Sequence, residues 1–97
     1  MVYTIEEIRD KVTPIAQEYG VDSLSLFGSY ARGEAKENSD LDFIMDDGEI
    51  NGLFKYVSLV RKLEETFNCH VDLISSGSSN KKFLNSIKNE EILIYER

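Results

Sequence analysis

Positive charge is scarce in this chain. Eleven lysines and arginines are set against eighteen aspartates and glutamates, a formal net charge of −7 at pH 7. The basic residues are scattered among the acids and form no patch or stripe of the kind that neutralises a phosphate backbone. Direct binding to nucleic acid is therefore not expected, whereas cations, or a basic partner surface, would be attracted. Cysteine occurs once, at Cys69. No internal disulfide can form, which fits the reducing cytoplasm, and Cys69 reads as a small core or boundary residue. No apolar run approaches the ~20 residues that span a bilayer, so no membrane contact is expected. The opening residues, Met1 to Glu7, lack the basic start and continuous apolar stretch of a signal peptide. Proline also occurs once, at Pro14, and neither a linker nor an internal repeat interrupts the chain. What remains is an ordinary globular composition, 41% hydrophobic and 30% charged over 97 residues. One domain spanning residues 1–97, with one core of two layers, is the expectation.

The stretch from Leu26 to Met45 organises the rest. A strand over about Asp22 to Phe27 stops at Gly28-Ser29. Gly28 permits a backbone geometry and a close ligand approach that a side chain would block. Ser29 to Arg32 suits a short helix, whose first N–H groups favour an anion. This is not a Walker A loop, which requires Gly-x-x-x-x-Gly-Lys-Ser/Thr. Arg32-Gly33 opens a polar connection through Asn38. Arg32 suits holding a phosphate or an acid, or pairing at the surface with Glu34 or Glu37. Ser39 suits bonding to nearby backbone before the next strand, Leu41 to Met45. At its mouth stand Asp40 and Asp42. Residues two apart on a strand share a face, so both carboxylates project together while Leu41 turns to the core. Two such acids repel unless one is protonated or a cation sits between them. Mg²⁺ takes one or two carboxylates together with phosphate oxygens.

Around this stretch the pattern alternates between helix and strand. Thr4 and Glu7 form a capping box for a helix carrying Ile5, Ile8, Val12, Ile15 and Tyr19 at helical spacing. Pro14 is expected to kink it, or break it near Lys11 to Thr13, and Gly20 to end it. Asp46-Asp47-Gly48-Glu49 reads as a solvated loop. A helix over Gly52 to Thr66 is expected to bury Leu53, Val57, Val60, Leu63 and Phe67, with Arg61, Lys62, Glu64 and Glu65 mainly wet. Cys69 to Ile74 reads as a third strand. Asp72 within it is costly to bury without a partner. His70 shares its face and reads as a partly exposed structural histidine. Ser75 to Ser79 is a polar loop. Asn80 to Lys88 is a short helix with Phe83, Leu84 and Ile87 on its apolar side. Ile92 to Tyr95 suits strand or helix alike.

Gly28-Ser29, Arg32-Gly33 and Ser39-Asp40-Leu41-Asp42 together resemble the signature of the DNA-polymerase-beta-type nucleotidyltransferase superfamily. The nearest resemblance is to its minimal nucleotidyltransferase (MNT, MntA-like) branch, whose members include the antitoxins of HEPN/MNT toxin–antitoxin pairs. The resemblance implies an α/β fold, a small mixed sheet with helices packed on it. It implies three catalytic, metal-holding carboxylates, Asp40, Asp42 and Asp72, the last in a Val-Asp-Leu context. It also implies two Mg²⁺ ions, with Gly28, Ser29, Arg32 and Ser39 around the nucleotide. The implied reaction transfers AMP from ATP to a tyrosine of a HEPN ribonuclease toxin. Larger relatives carry further domains for base, sugar or acceptor. Here a partner protein, or a second copy of the chain, is expected to complete the site. Two other readings compete: an antitoxin that neutralises its partner by contact alone, and a small nucleotide- or metal-binding domain of other purpose.

Overall fold

The computed structural model describes residues 2–78 and 80–97, with backbone alone for Ser78. The first helix, α1 (Ile5–Tyr19), opens with the expected capping box. Thr4 Oγ1 accepts the Glu7 N–H at 3.0 Å, and Glu7 Oε1 accepts the Thr4 N–H at 2.8 Å. Ile8, Val12, Ile15 and Ala16 are buried along one face. Of the kink or break expected from Pro14, the break near Lys11 to Thr13 does not occur, and α1 runs on through Pro14. Pro14 and Asp10 both lie on the exposed side. The Asp10 carbonyl, deprived of its helical donor, is thus within reach of water, and the helix tolerates the loss. Gly20, at φ 72°, ends α1 and donates its N–H to the Ala16 carbonyl at 2.9 Å.

Four strands follow: β1 (Ser23–Phe27), β2 (Leu41–Asp46), β3 (Val71–Ser75) and β4 (Ile92–Glu96). They form one mixed sheet in the order β3-β2-β1-β4. β1 runs antiparallel to β2 and β4, and β2 runs parallel to β3. The C-terminal run left open between strand and helix is thus a strand, because β1 has a free edge that it completes. A short helix, α2 (Gly28–Arg32), follows β1 directly. The crossover from β2 to β3 is α3 (Gly52–Phe67). A 3-10 turn (Ser76–Ser78) then leads to α4 (Lys81–Ile87). The polar loop expected over Ser75 to Ser79 is partly replaced by the end of β3 and this turn, and Ser79 lies outside the described residues.

Strand alternation sorts the side chains. Leu24, Leu26, Leu41, Phe43, Met45, Val71 and Leu73 face one way and form the main core with α1 and α3. On the other face Phe27 and Ile44 meet Ile87 of α4, with Ile74 and Leu84 beside them. Among the described residues no helix is long and apolar enough to cross a membrane.

The buried stripe of α3 departs from expectation. Leu59, Leu63 and Phe67 are buried, whereas Leu53 is 72% and Val57 43% exposed. Phe54, beside them, is 93% exposed. The first turns of α3 extend past the core, so their apolar residues find nothing to cover. Glu64, expected on the wet side, is half-buried and accepts the Val71 N–H at 3.1 Å. The acidic loop is also more tied than expected. The Ser76 hydroxyl donates to Asp46 at 2.8 Å, the Ser75 hydroxyl donates to Asp47, and Arg97 meets Glu49 at 2.7 Å. Leu63→Ala is expected to cost about 2–5 kcal/mol in urea unfolding. Leu53→Ala should stay within about 0.5 kcal/mol, because its side chain leaves little behind.

Candidate active site

Strand pairing assembles the acids. In the parallel β2–β3 ladder Leu41 pairs with Val71 and Asp42 with Asp72. The Leu41 N–H donates to the His70 carbonyl at 3.1 Å, which sets Asp40 beside His70 one step earlier. Asp40, Asp42, His70 and Asp72 therefore stand at four corners of one patch on one face of the sheet. One ligand atom each from Asp40, His70 and Asp72 lies within 4.8 Å of the others. The side chains that sequence placed in a metal site are brought together here, and His70 joins them.

Asp42 is the most confined of the acids. It is half-buried, whereas Asp40 and Asp72 are exposed. Burial pushes its carboxyl above the usual range, to about 6. A hydrogen bond with Asp72 and the charges of Asp72 and Asp40 push the same way, and Arg32 opposes them. A Cβ on Gly28 would sit 2.2 Å from Asp42 Oδ2, and Gly28 has φ +75°. Glycine at this position thus answers two constraints, a left-handed backbone and the approach of a carboxylate. The crowded carboxylates, all hard oxygen donors, fit a divalent cation such as Mg²⁺, whose charge would offset their repulsion.

The remaining predicted residues lie around this patch. The Gly28 N–H points at Glu90 Oε1 at 3.4 Å. Arg32 Nη1 donates to Glu90 Oε2 at 3.1 Å and Arg32 Nε to Glu34 Oε1 at 2.8 Å. Arg32 is thus a paired surface arginine, bound to Glu34, one of its two expected partners, and also to Glu90. The Ser29 carbonyl accepts the Glu34 N–H at 2.9 Å, closing the turn after α2. Ser39 holds its own turn: its hydroxyl accepts the Lys36 N–H at 2.8 Å, and its N–H reaches the Lys36 carbonyl at 3.0 Å. Cys69 is a boundary residue whose thiol burial pushes up.

Sequence reasoning missed Glu90, Tyr56 and the inward role of Glu64. Glu90 lies 62 residues from Gly28 and carries no local signal. Tyr56 donates its hydroxyl to the Leu73 carbonyl, and burial, then Asp72, push its phenol up. Its position one residue before Val57 was the available clue. Beside Asp42 and Asp72 opens a groove of about 570 Å³, lined by Phe27, Tyr56, Val57, Val60 and Phe83 among others. That volume suits a small ligand or one inserted side chain.

A mixed sheet thus carries paired acids at the mouths of two parallel strands with a Gly-Ser turn beside them. A family model described as polymerase beta, nucleotidyltransferase, matches residues 10–97. The chain belongs to this family and is an enzyme of the nucleotidyltransferase class. Its place within the family is the minimal, MntA-like branch. It is 35% identical over 95 residues to the protein adenylyltransferase MntA of Thermococcus cleftensis, covering 94% of this chain and 96% of the relative. It is 40% identical over 88 residues to a candidate protein adenylyltransferase of Methanocaldococcus jannaschii, covering 91% and 95%. Two solved structures share the fold. One is a toxin–antitoxin crystal structure with AMP-PNP, at TM-score 0.79 and 20% identity, covering 92% of this chain and 73% of that one. The other is a tri-AMPylated HEPN toxin of Shewanella oneidensis in complex with its MNT antitoxin, at TM-score 0.75 and 16% identity, covering 97% and 74%.

The raised Asp42 carboxyl sets a stability test. A carboxyl raised in the folded state favours protons there, so its cost is absent below the unfolded value near 3.8 and complete above about 6. Asp42→Asn removes that cost. Allowing for solvent screening of a part-exposed group, it should gain about 1 kcal/mol at pH 8, about 4–8 °C in Tm. Below pH ~4 the two proteins should melt together. Equal melting at both pH values would show Asp42 to be unstrained.

Proposed function

We propose that this enzyme transfers AMP from ATP to a tyrosine hydroxyl of a HEPN-domain toxin and thereby silences it. One observation carries this: the register of β2 and β3 sets Asp42 opposite Asp72, with Asp40 at the next corner. Protein adenylyltransferase relatives matched along nearly their full length support adenylyl transfer to a protein. The exposed Leu53 and Phe54 on the first turn of α3 support a protein acceptor, since an isolated surface has little use for them.

Asp40 and Asp42 would hold two Mg²⁺ ions, and Asp72 would complete the ligands of one of them. Bound there, Mg²⁺ would neutralise the triphosphate and the charge that develops during in-line displacement. Gly28 and Ser29 would receive the outer phosphates. Glu90 now faces the Gly28 N–H and must turn aside for a phosphate, releasing Arg32 to meet it. Ser39 would act by holding the turn that delivers Asp40. The tyrosine oxygen would bond to the α phosphorus as the bond to the bridging oxygen of pyrophosphate breaks. The phenolic proton would pass to the Asp72 carboxylate. The work of the chain is positioning and charge neutralisation rather than covalent chemistry.

The test is label transfer to the co-purified toxin with Mg²⁺ and ATP labelled at either the α or the γ phosphate. The α label should appear on the toxin, the γ label should not, and Asp42→Asn should lower transfer by at least ~100-fold. The Asp40→Asn/Asp42→Asn double variant should still fold but cease to protect cells. Protection that survives in it would identify an antitoxin acting by contact alone. Gly28→Ala should lower transfer comparably, because its Cβ displaces the Asp42 carboxylate.

A further inference from the structure

β3 is an edge strand, paired with β2 on one side only. The Leu41 N–H donates to the His70 carbonyl, so His70, Asp72 and Ile74 turn their main-chain groups toward β2, and Val71 and Leu73 turn theirs outward. α3 closes the first and the last of these outward groups. Glu64 Oε2 accepts the Val71 N–H at 3.1 Å, and the Tyr56 hydroxyl donates to the Leu73 carbonyl. The two groups between them, the Val71 carbonyl and the Leu73 N–H, have no partner among the described residues. Both residues are buried, and both line the groove beside Asp42 and Asp72. A main-chain acceptor and donor left side by side in a groove call for a ligand that carries the opposite pair.

The walls of the groove narrow the choice. Val57 and Val60 of α3 stand on the core side of the sheet. Phe27 and Phe83 stand on the other side, their rings meeting edge to face at 6.0 Å between centroids. The space between these walls continues the plane of the sheet and suits a flat ring held by its edge. An added strand fits poorly, because Glu64 and Tyr56 occupy the next positions on both sides and leave room to pair one residue only. The base-pairing edge of adenine carries the required pair: its 6-amino group donates, and N1 beside it accepts. Guanine, hypoxanthine and uracil present the reverse. Cytosine shares the pair, but its one ring spans less of the groove.

We propose that the open edge of β3 reads the base of the nucleotide. The Val71 carbonyl accepts from the 6-amino group of adenine, the Leu73 N–H donates to N1, and Val57, Val60 and Phe83 cover the faces of the ring. The groove ends at Asp42 and Asp72, where the phosphates and metal are required. Because main-chain groups do the selecting, no side chain marks the site in the sequence. The proposal rests on the nucleotidyl-transfer reading for the presence of a nucleotide and goes beyond it in naming the groups that select the base.

The experiment is binding of ATP and ITP to the purified chain with Mg²⁺, without acceptor. The two differ only at the edge of the six-membered ring, where ITP would set a carbonyl against the Val71 carbonyl and an N1–H against the Leu73 N–H. ITP should bind at least ~10-fold more weakly. With ¹⁵N in both protein and ATP, a scalar coupling should appear between the Leu73 nitrogen and N1 of adenine, which only a hydrogen bond between them gives. Val57→Trp, at a part-exposed wall position, should fill the groove and bring ATP down to the affinity of ITP. Tripolyphosphate, which has no base, should bind the wild type and Val57→Trp within about 2-fold of each other. ATP bound no more tightly than ITP by the wild type, no coupling at saturating ATP, or a Leu73 amide that responds to the acceptor protein and not to ATP overturns the proposal. Tripolyphosphate tests the phosphate and metal site without the base, so failure here and failure of the nucleotidyl-transfer reading are seen separately.

Discussion

The parallel pairing of β2 with β3 is the constraint on which the rest depends. It is the one contact that brings Asp72 to Asp42, and it joins segments separated by a 16-residue helix. The main core exists on the opposite side of the same ladder. Leu41, Phe43, Val71 and Leu73 point into it from the residues that alternate with the acids. One period-two pattern thus buries the core and presents the carboxylates. Apolar burial drives the pairing, and the acids are carried along against their mutual repulsion.

That repulsion leaves its mark on the surroundings. Asp42 is pressed by burial and by its neighbours toward the protonated state, and Gly28 yields the space that its carboxylate occupies. Arg32, the cation that relieves Asp42, is itself shared between Glu34 and Glu90. The patch is under-supplied with positive charge in a chain that is acidic throughout. A site of this kind is unfavourable by itself and becomes favourable when a cation arrives, which is the order of events that metal-dependent chemistry requires.

Much of this was legible in the sequence, for identifiable reasons. Thr4 and Glu7 announced α1, and alternation announced β1 to β3, because capping and strand periodicity are local properties. Asp40 and Asp42 could be placed on one face by spacing alone. Asp72 could not, since nothing in its spacing says which strand lies beside it, and the family resemblance supplied that link. Pro14 left a kink and a break open, and only the break is ruled out, because the exposure that excuses the missing hydrogen bond is a tertiary fact. The α3 stripe misled because helical periodicity does not say where the core ends, and Leu53 and Val57 lie beyond it. Glu90 and Glu64 were silent for the same reason: their partners, Gly28, Arg32, His70 and Val71, sit on other elements.

The register of β3 also bears on how such an enzyme can change over evolutionary time. A shift of β3 by two residues keeps its buried face buried but exchanges Asp72 for Ile74 or His70 opposite Asp42. A shift by one turns the acid into the core. Lengthening or shortening α3 touches neither outcome so long as the strand re-enters in step. The exposed first turns of α3 can therefore change in length or sequence without moving the acids.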